Sequence, residues 1–178
     1  MSIYPSAVGS NLYDVDGTTA KHTVGDVYQF HTDQGVVLAR YMRNDQGASV
    51  PAGLVVNYGS SNGGFATDAV GDTMQYQQIA GVVCASATTG GHAWVAFRGP
   101  VTNAAQAVTM ALSAATRMQW VDANGRFSTF TSTIGGGTVA ASATARDYQN
   151  RAIGMLSASS TTGDSGTASN TPVFILWR

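Results

Sequence analysis

Glycine and asparagine turn signals cut this sequence at short, regular intervals, and that spacing restricts what the chain can build. Asp16-Gly17, Gln34-Gly35, Gln46-Gly47, Asn62-Gly63-Gly64, Gly90-Gly91, Asn124-Gly125, Gly135-Gly136-Gly137 and Gly163-Asp164 each place residues that accept tight turns or a left-handed backbone. Between them run segments rich in β-branched and aromatic residues: Val36-Val37-Leu38-Ala39-Arg40-Tyr41, Leu54-Val55-Val56-Asn57-Tyr58, Trp94-Val95-Ala96-Phe97 and Val173-Phe174-Ile175-Leu176-Trp177. Runs of this length and composition suit strands buried on one or both faces. The expected fold is all-β, a β-barrel or β-sandwich.

Comparing the chain with itself sharpens that expectation, because an internal repeat constrains architecture before any single residue does. Ala80-Gly81-Val82-Val83-Cys84-Ala85-Ser86-Ala87-Thr88-Thr89-Gly90, followed by Trp94-Val95-Ala96-Phe97, is answered by Ile153-Gly154-Met155-Leu156-Ser157-Ala158-Ser159-Ser160-Thr161-Thr162-Gly163, followed by Pro172-Val173-Phe174-Ile175-Leu176. Upstream, Asn62-Gly63-Gly64-Phe65-Ala66-Thr67 aligns with Asn124-Gly125-Arg126-Phe127-Ser128-Thr129, and Val56-Asn57-Tyr58 with Met118-Gln119-Trp120. Val50-Pro51-Ala52-Gly53 falls on Leu112-Ser113-Ala114-Ala115. The expected organisation is therefore a strand-hairpin module over residues 36–100 and a second over 101–178. The second carries an insertion around Gly135-Gly136-Gly137 and the Ala/Thr/Ser stretch after it. Residues 1–35 have no repeat partner and read as an extended N-terminal arm or an extra hairpin. Residues 103–117 are Ala-rich and open on Asn103, a possible helix cap, but their counterpart contains Gly47, Pro51 and Gly53, so turn and strand are expected in both copies.

Charge narrows the partners. Only 11% of the 178 residues are charged, the formal net charge is -1, and the nine basic residues are scattered, which gives no cationic stripe for a phosphate backbone. Thr, Ser, Asn, Gln and Gly must solvate the surface instead. No window approaches the roughly 20 apolar residues of a membrane helix, and the N-terminus lacks a basic region followed by an apolar one. The expectation is a protein that matures in the cytoplasm, with neither a nucleic-acid nor a membrane partner.

Chemistry is sparse. Asp14-Val15-Asp16-Gly17-Thr18 matches the Asp-x-Asp-Gly-Thr string of haloacid-dehalogenase-like phosphatases, where the first Asp is the nucleophile and the second the acid and base. No apolar strand runs into Asp14, and no alternation of strands and helices follows. As a calcium loop the string fails at its twelfth position, which is Gly25 and not Glu. His22, His31 and His92 show no ligand spacing among themselves or with Cys84, which lies in an apolar run as a small buried hydrophobe. Asp68, Asp72, Asp122, Asp147 and Asp164 are scattered among turn segments; paired carboxylates for acid-base work are one reading, and turn and cap roles are the simpler one. Trp94, Trp120, Trp177, Tyr58, Phe65, Tyr76 and Phe127 fall in or near expected strands; core packing is their ordinary role, and a sugar-binding platform is the rival one. No catalytic, cofactor-binding or metal residue is assigned, and no enzyme activity is expected.

The run from Ile79 to Gly90, followed by Trp94-Val95 and Gly99-Pro100, resembles a segment of bacteriophage capsid decoration (cement) and head-fibre-like virion proteins. Val50-Pro51-Ala52-Gly53-Leu54-Val55-Val56 and Ala69-Val70-Gly71-Asp72 are similar to the same group. The likeness covers residues 36–125 and rests on small and turn residues. It implies a β module on the outer surface of a capsid, bound to the major capsid protein as a homo-oligomer, a trimer or dimer, and it carries no catalytic residues. The alternative implied by the aromatics is a tail or head fibre domain that binds host glycans.

Overall fold

The structure is a computed structural model that describes residues 4–6, 9–66, 79–105, 118–121, 125–129, 133–134, 137–138, 154–156 and 168–175. Every regular element among them is a strand: β1 (Val15–Asp16), β2 (Val27–Thr32), β3 (Gly35–Asn44), β4 (Val55–Tyr58), β5 (Gly64–Ala66), β6 (Ile79–Val83), β7 (His92–Ala105), β8 (Met118–Val121), β9 (Phe127–Thr129), β10 (Thr133–Ile134), β11 (Gly137–Thr138), β12 (Gly154–Leu156) and β13 (Ala168–Ile175). Among these residues no helix is long and apolar enough to cross a membrane. The all-β expectation holds, in its barrel form.

Five strands close on themselves in the order β3-β5-β4-β6-β7 and back to β3. Four of the pairings are antiparallel; the fifth, Arg43 with Gly64 and Asn44 with Phe65, is parallel and joins β3 to β5. Closure leaves no ring strand with a free edge along its paired length, which removes the site where β proteins aggregate. Outside the ring, β2 pairs with β3 through a hairpin that turns at Asp33-Gln34, and β1 pairs with the start of β7. The far half of β7 pairs with β13, and the sheet continues through β12 and β8 to β9. A separate two-stranded sheet joins β10 and β11.

Alternation along the strands sorts the apolar residues onto two faces. Val37, Ala39 and Tyr41 of β3 join Trp94 and Ala96 of β7 in one buried cluster, with Leu12, Phe30 and Phe127 packed into it. Met42 of β3 and Ala93 and Val95 of β7 belong to the other, to which all five ring strands contribute through Val56, Phe65, Ala80 and Val83. Strict alternation would put Ile79, Gly81 and Val83 on one face. Instead the register between β4 and β6 shifts by one residue there, so that Ile79 and Val82 share a cluster. Gly81 makes the shift possible: its φ is 144°, and a Cβ would lie 2.2 Å from the Ala96 carbonyl oxygen. Gly99 does a similar job where β7 leaves β3 for β13, with φ at 107° and a Cβ position 2.2 Å from the Val36 carbonyl oxygen.

The segment 103–117 is described only as far as Ala105, where it is the end of β7; the rest lies outside the described residues, as do Asp68, Asp72, Asp122, Asp147, Asp164, Tyr76 and Trp177.

Gly81→Ala forces both a left-handed backbone and a backbone clash, so it is expected to cost about 3 kcal/mol or more. Gly47→Ala, where a Cβ meets nothing within 4 Å, should stay within about 0.5 kcal/mol of the parent. Urea unfolding followed by tryptophan fluorescence measures both, and equal midpoints for the two variants contradict the assignment.

Candidate functional site

The densest polar chemistry among the described residues lies where the N-terminal segment meets β3 and β7. Pairing of Val15 with Ala93 and Asp16 with His92 lays β1 along β7, and this drives the Asp16 carboxylate into the interior, where the residue is only 4% exposed. A buried carboxylate needs partners. Tyr41 donates its hydroxyl to Asp16 Oδ2, and the Lys21 ammonium reaches Oδ1 at 2.7 Å while its stem stays in solvent. The Lys21 backbone N–H in turn donates to the Tyr41 hydroxyl oxygen at 3.2 Å. Burial alone would push the Asp16 carboxyl up; the hydrogen bonds from Lys21 and Tyr41 and the Lys21 charge outweigh it and hold the group below its ordinary 3.8. Desolvation, reinforced by the Asp16 bond, pushes the Tyr41 phenol up to about 12.

Two histidines complete the cluster. His92 stacks on Tyr41 with ring planes 8° apart, and its Nδ1 donates to the Gly17 carbonyl at 2.9 Å, which fixes the Nδ1–H tautomer. His22 meets Ser10 Oγ at 3.0 Å through Nε2 and packs edge-on against Tyr41 and tilted against Trp94. Phe30 and Tyr28 close on Trp94 in T-shaped contacts. Trp94 is buried, so it stands in this cluster and not in an exposed groove beside Tyr58.

The phosphatase-like string therefore takes part in a staple. Asp16 is held by Tyr41 and Lys21, while exposed Asp14 accepts the Asn11 N–H at 2.8 Å in a local turn. His31 is exposed and meets Gln29. Cys84 is buried, and desolvation pushes its thiol up to about 12. A second carboxylate, Asp45, binds the Arg43 guanidinium through Oδ1, and accepts from the Ser61 N–H and hydroxyl through Oδ2, which fixes the turn ahead of β5. No group of three or more His, Cys, Asp or Glu that could hold a metal occurs among the described residues.

A different kind of surface lies one layer beyond the cluster shared by the five ring strands. Alternation places Arg40 of β3 on the Met42 face, Tyr58 of β4 on the Val56 face and Phe97 of β7 on the Val95 face. There the Arg40 guanidinium carbon lies 5.5 Å from the Tyr58 ring centroid and 5.6 Å from that of Phe97, and Arg40 donates to the Tyr58 hydroxyl. Tyr58 is 41% exposed. Tyr58 stands out in the sequence as a strand aromatic and Arg40 does not, although an arginine alternating with Leu38 and Met42 on an otherwise apolar strand face is a signal for it. Lys21 and Tyr41 had no local signal at all, because the fold alone brings them to Asp16.

No protein-family model, no curated protein and no solved structure matches this chain.

The Asp16 geometry sets a pH dependence. Because the folded carboxyl titrates below the unfolded one, its contribution to stability is complete above the ordinary carboxyl range and is lost as pH falls through the folded value. Wild type should lose stability between about pH 5 and pH 3 more steeply than Asp16→Asn, as read from urea midpoints across that range; parallel curves would contradict the staple. Cys84 should resist a thiol-specific disulfide reagent in the native protein at pH 8 and react fully in urea. Rapid native labelling would show that the thiol is not sealed in the core.

Proposed function

We propose that this chain is a bacteriophage structural virion protein, a decoration or cement protein that binds the outer surface of the capsid and stabilises contacts between capsomers. The observation that carries the reading is the Arg40, Tyr58 and Phe97 patch. Arginine and tyrosine are the residues that dominate protein interfaces when they are desolvated, and here a cation is already arranged between two rings at the end of a rigid barrel. The sparse charge of the chain favours the same use, since a surface of hydroxyls and amides can lie on another protein at small desolvation cost. The resemblance of β6, the turn at Gly90 and the start of β7 to decoration proteins supports the major capsid protein as the partner. A homo-oligomer, trimer or dimer, then places several copies of the patch at neighbouring capsomers, and multivalency raises the affinity of each. The protein joins the virion in the host cytoplasm.

Two finer features belong to this proposal. The first is the internal repeat. Its support is that β5-β4-β6-β7 and β9-β8-β12-β13 run through the same succession of antiparallel pairs. The module boundary at residue 100 falls inside β7, whose first half serves the ring and whose second half serves β13. The second is the N-terminal arm. Leu12, β1 and β2 are tied into the sheet, and Pro5 and Ser6 meet it at Gln29 through a backbone hydrogen bond and an isolated bridge, an attachment that a sister subunit or the capsid can replace.

The test is cosedimentation with capsids assembled without this protein, followed by heating or osmotic shock of the shells. Wild type should bind and raise shell resistance, and the Arg40→Ala/Tyr58→Ala variant should bind roughly tenfold or more weakly. Shells that neither bind wild type nor gain resistance would end the proposal.

A further inference from the structure

A cleft of about 600 Å3 opens between residues 10–13 and the β2–β3 hairpin, and neither Arg40 nor Tyr58 lines it. Its volume lies within the range of small-molecule sites, about 300 to 1,000 Å3. Buried Leu12 and Phe30 supply apolar surface, and the Tyr13 ring, 38% exposed, stands in its wall. The residue is held at its backbone and at its hydroxyl. The Tyr13 backbone N–H donates to Asn11 Oδ1 at 3.0 Å, and the hydroxyl bonds Thr102 Oγ1 of β7 at 2.9 Å. A side chain fixed this way forfeits little entropy when a ligand stacks on it.

The polar lining decides what the ligand is. Asn11, Gln29, Gln34 and Thr32 offer amides and a hydroxyl, and Asp33 offers a carboxylate. The Gln29 amide meets His31 Nε2 at 3.0 Å, which adds an imidazole to this polar rim. Among the described residues that line the cleft there is no lysine or arginine to hold an anion, and one carboxylate is too few for a divalent cation. An apolar ligand would strip water from this ring of amides without replacing its hydrogen bonds. A molecule with an apolar C–H face for Tyr13 and hydroxyls that both donate and accept matches this lining. We propose that this cleft is a binding site for a neutral saccharide, with Tyr13 as its stacking platform and the β2–β3 turn as its polar rim.

This site is separate from the capsid-docking patch, so either can fail without the other. Isothermal titration of the full chain with lactose, cellobiose and N,N′-diacetylchitobiose, with sialyllactose as the anionic counterpart, tests it directly. At least one neutral disaccharide should bind saturably. Tyr13→Ala should weaken that binding by roughly tenfold while Tyr13→Phe, which keeps the ring, retains it. Gln34→Ala, at the exposed hairpin turn, should weaken it as well and leaves the apolar packing untouched, which separates loss of the site from loss of the fold. Capsid cosedimentation by the same variants should be unchanged. Absence of saturable binding across the neutral panel, binding that survives both Tyr13→Ala and Gln34→Ala, or preference for the sialylated sugar would overturn the proposal.

Discussion

Strand β7 pairs with β3 and β6 along its first half and β13 along its second, and every other part of the sheet is placed by that ladder. Its 14 residues make it more than twice as long as a typical strand. Length alone would make such a strand a hazard, because an unpaired ladder invites other chains. Here the two edges are taken up in turn: β3 and β6 hold the first half, β1 covers its start, and Gly99 lets the strand exchange partners where Pro100 can donate no hydrogen bond. The aromatic cluster around Trp94 and the cluster around Val95 lie on opposite faces of this one strand. Both cores therefore depend on a single register.

The N-terminal segment is fastened to the same strand by polar chemistry. Asp16 enters the interior because β1 pairs with β7, and it stays there because Tyr41, from the adjacent β3, and Lys21 meet its two oxygens. Breaking that contact leaves a buried carboxylate uncompensated, which is the larger energy. The consequence is specificity of position. On either side of the staple Leu12 and His22 pack into the Trp94 cluster, and Tyr13, next to Leu12, stands at the wall of the cleft.

Much of this architecture could be read from the chain. The Gln34-Gly35 and Gly90-Gly91 signals fall at strand starts, and the Val36 to Tyr41 and Trp94 to Phe97 runs are strands. Phe65, Phe127 and Trp94 are core, as strand aromatics usually are, while Tyr58, at the end of β4, is exposed. What stayed hidden depends on contacts between residues far apart in sequence. Nothing near Arg43 announces a parallel partner in Gly64, and Asp16 looked like part of a catalytic string because its partner Tyr41 lies 25 residues away. The exchange of partners along β7 was equally invisible, since Gly99-Pro100 reads locally as the end of a strand and a boundary between modules.

The proposed docking by Arg40, Tyr58 and Phe97 and the proposed saccharide site beside Tyr13 both require a rigid ring with residues 10–32 built into it. Amide hydrogen exchange resolved along the chain measures that rigidity most directly. Amides of residues 38–43 and 92–98 should exchange only through global unfolding, and those of 27–32 should be protected alongside them. If residues 10–32 exchange freely while the rest of the ring is protected, or if β7 exchanges as fast as the exposed turn at 47–49, the closed and stapled barrel is contradicted.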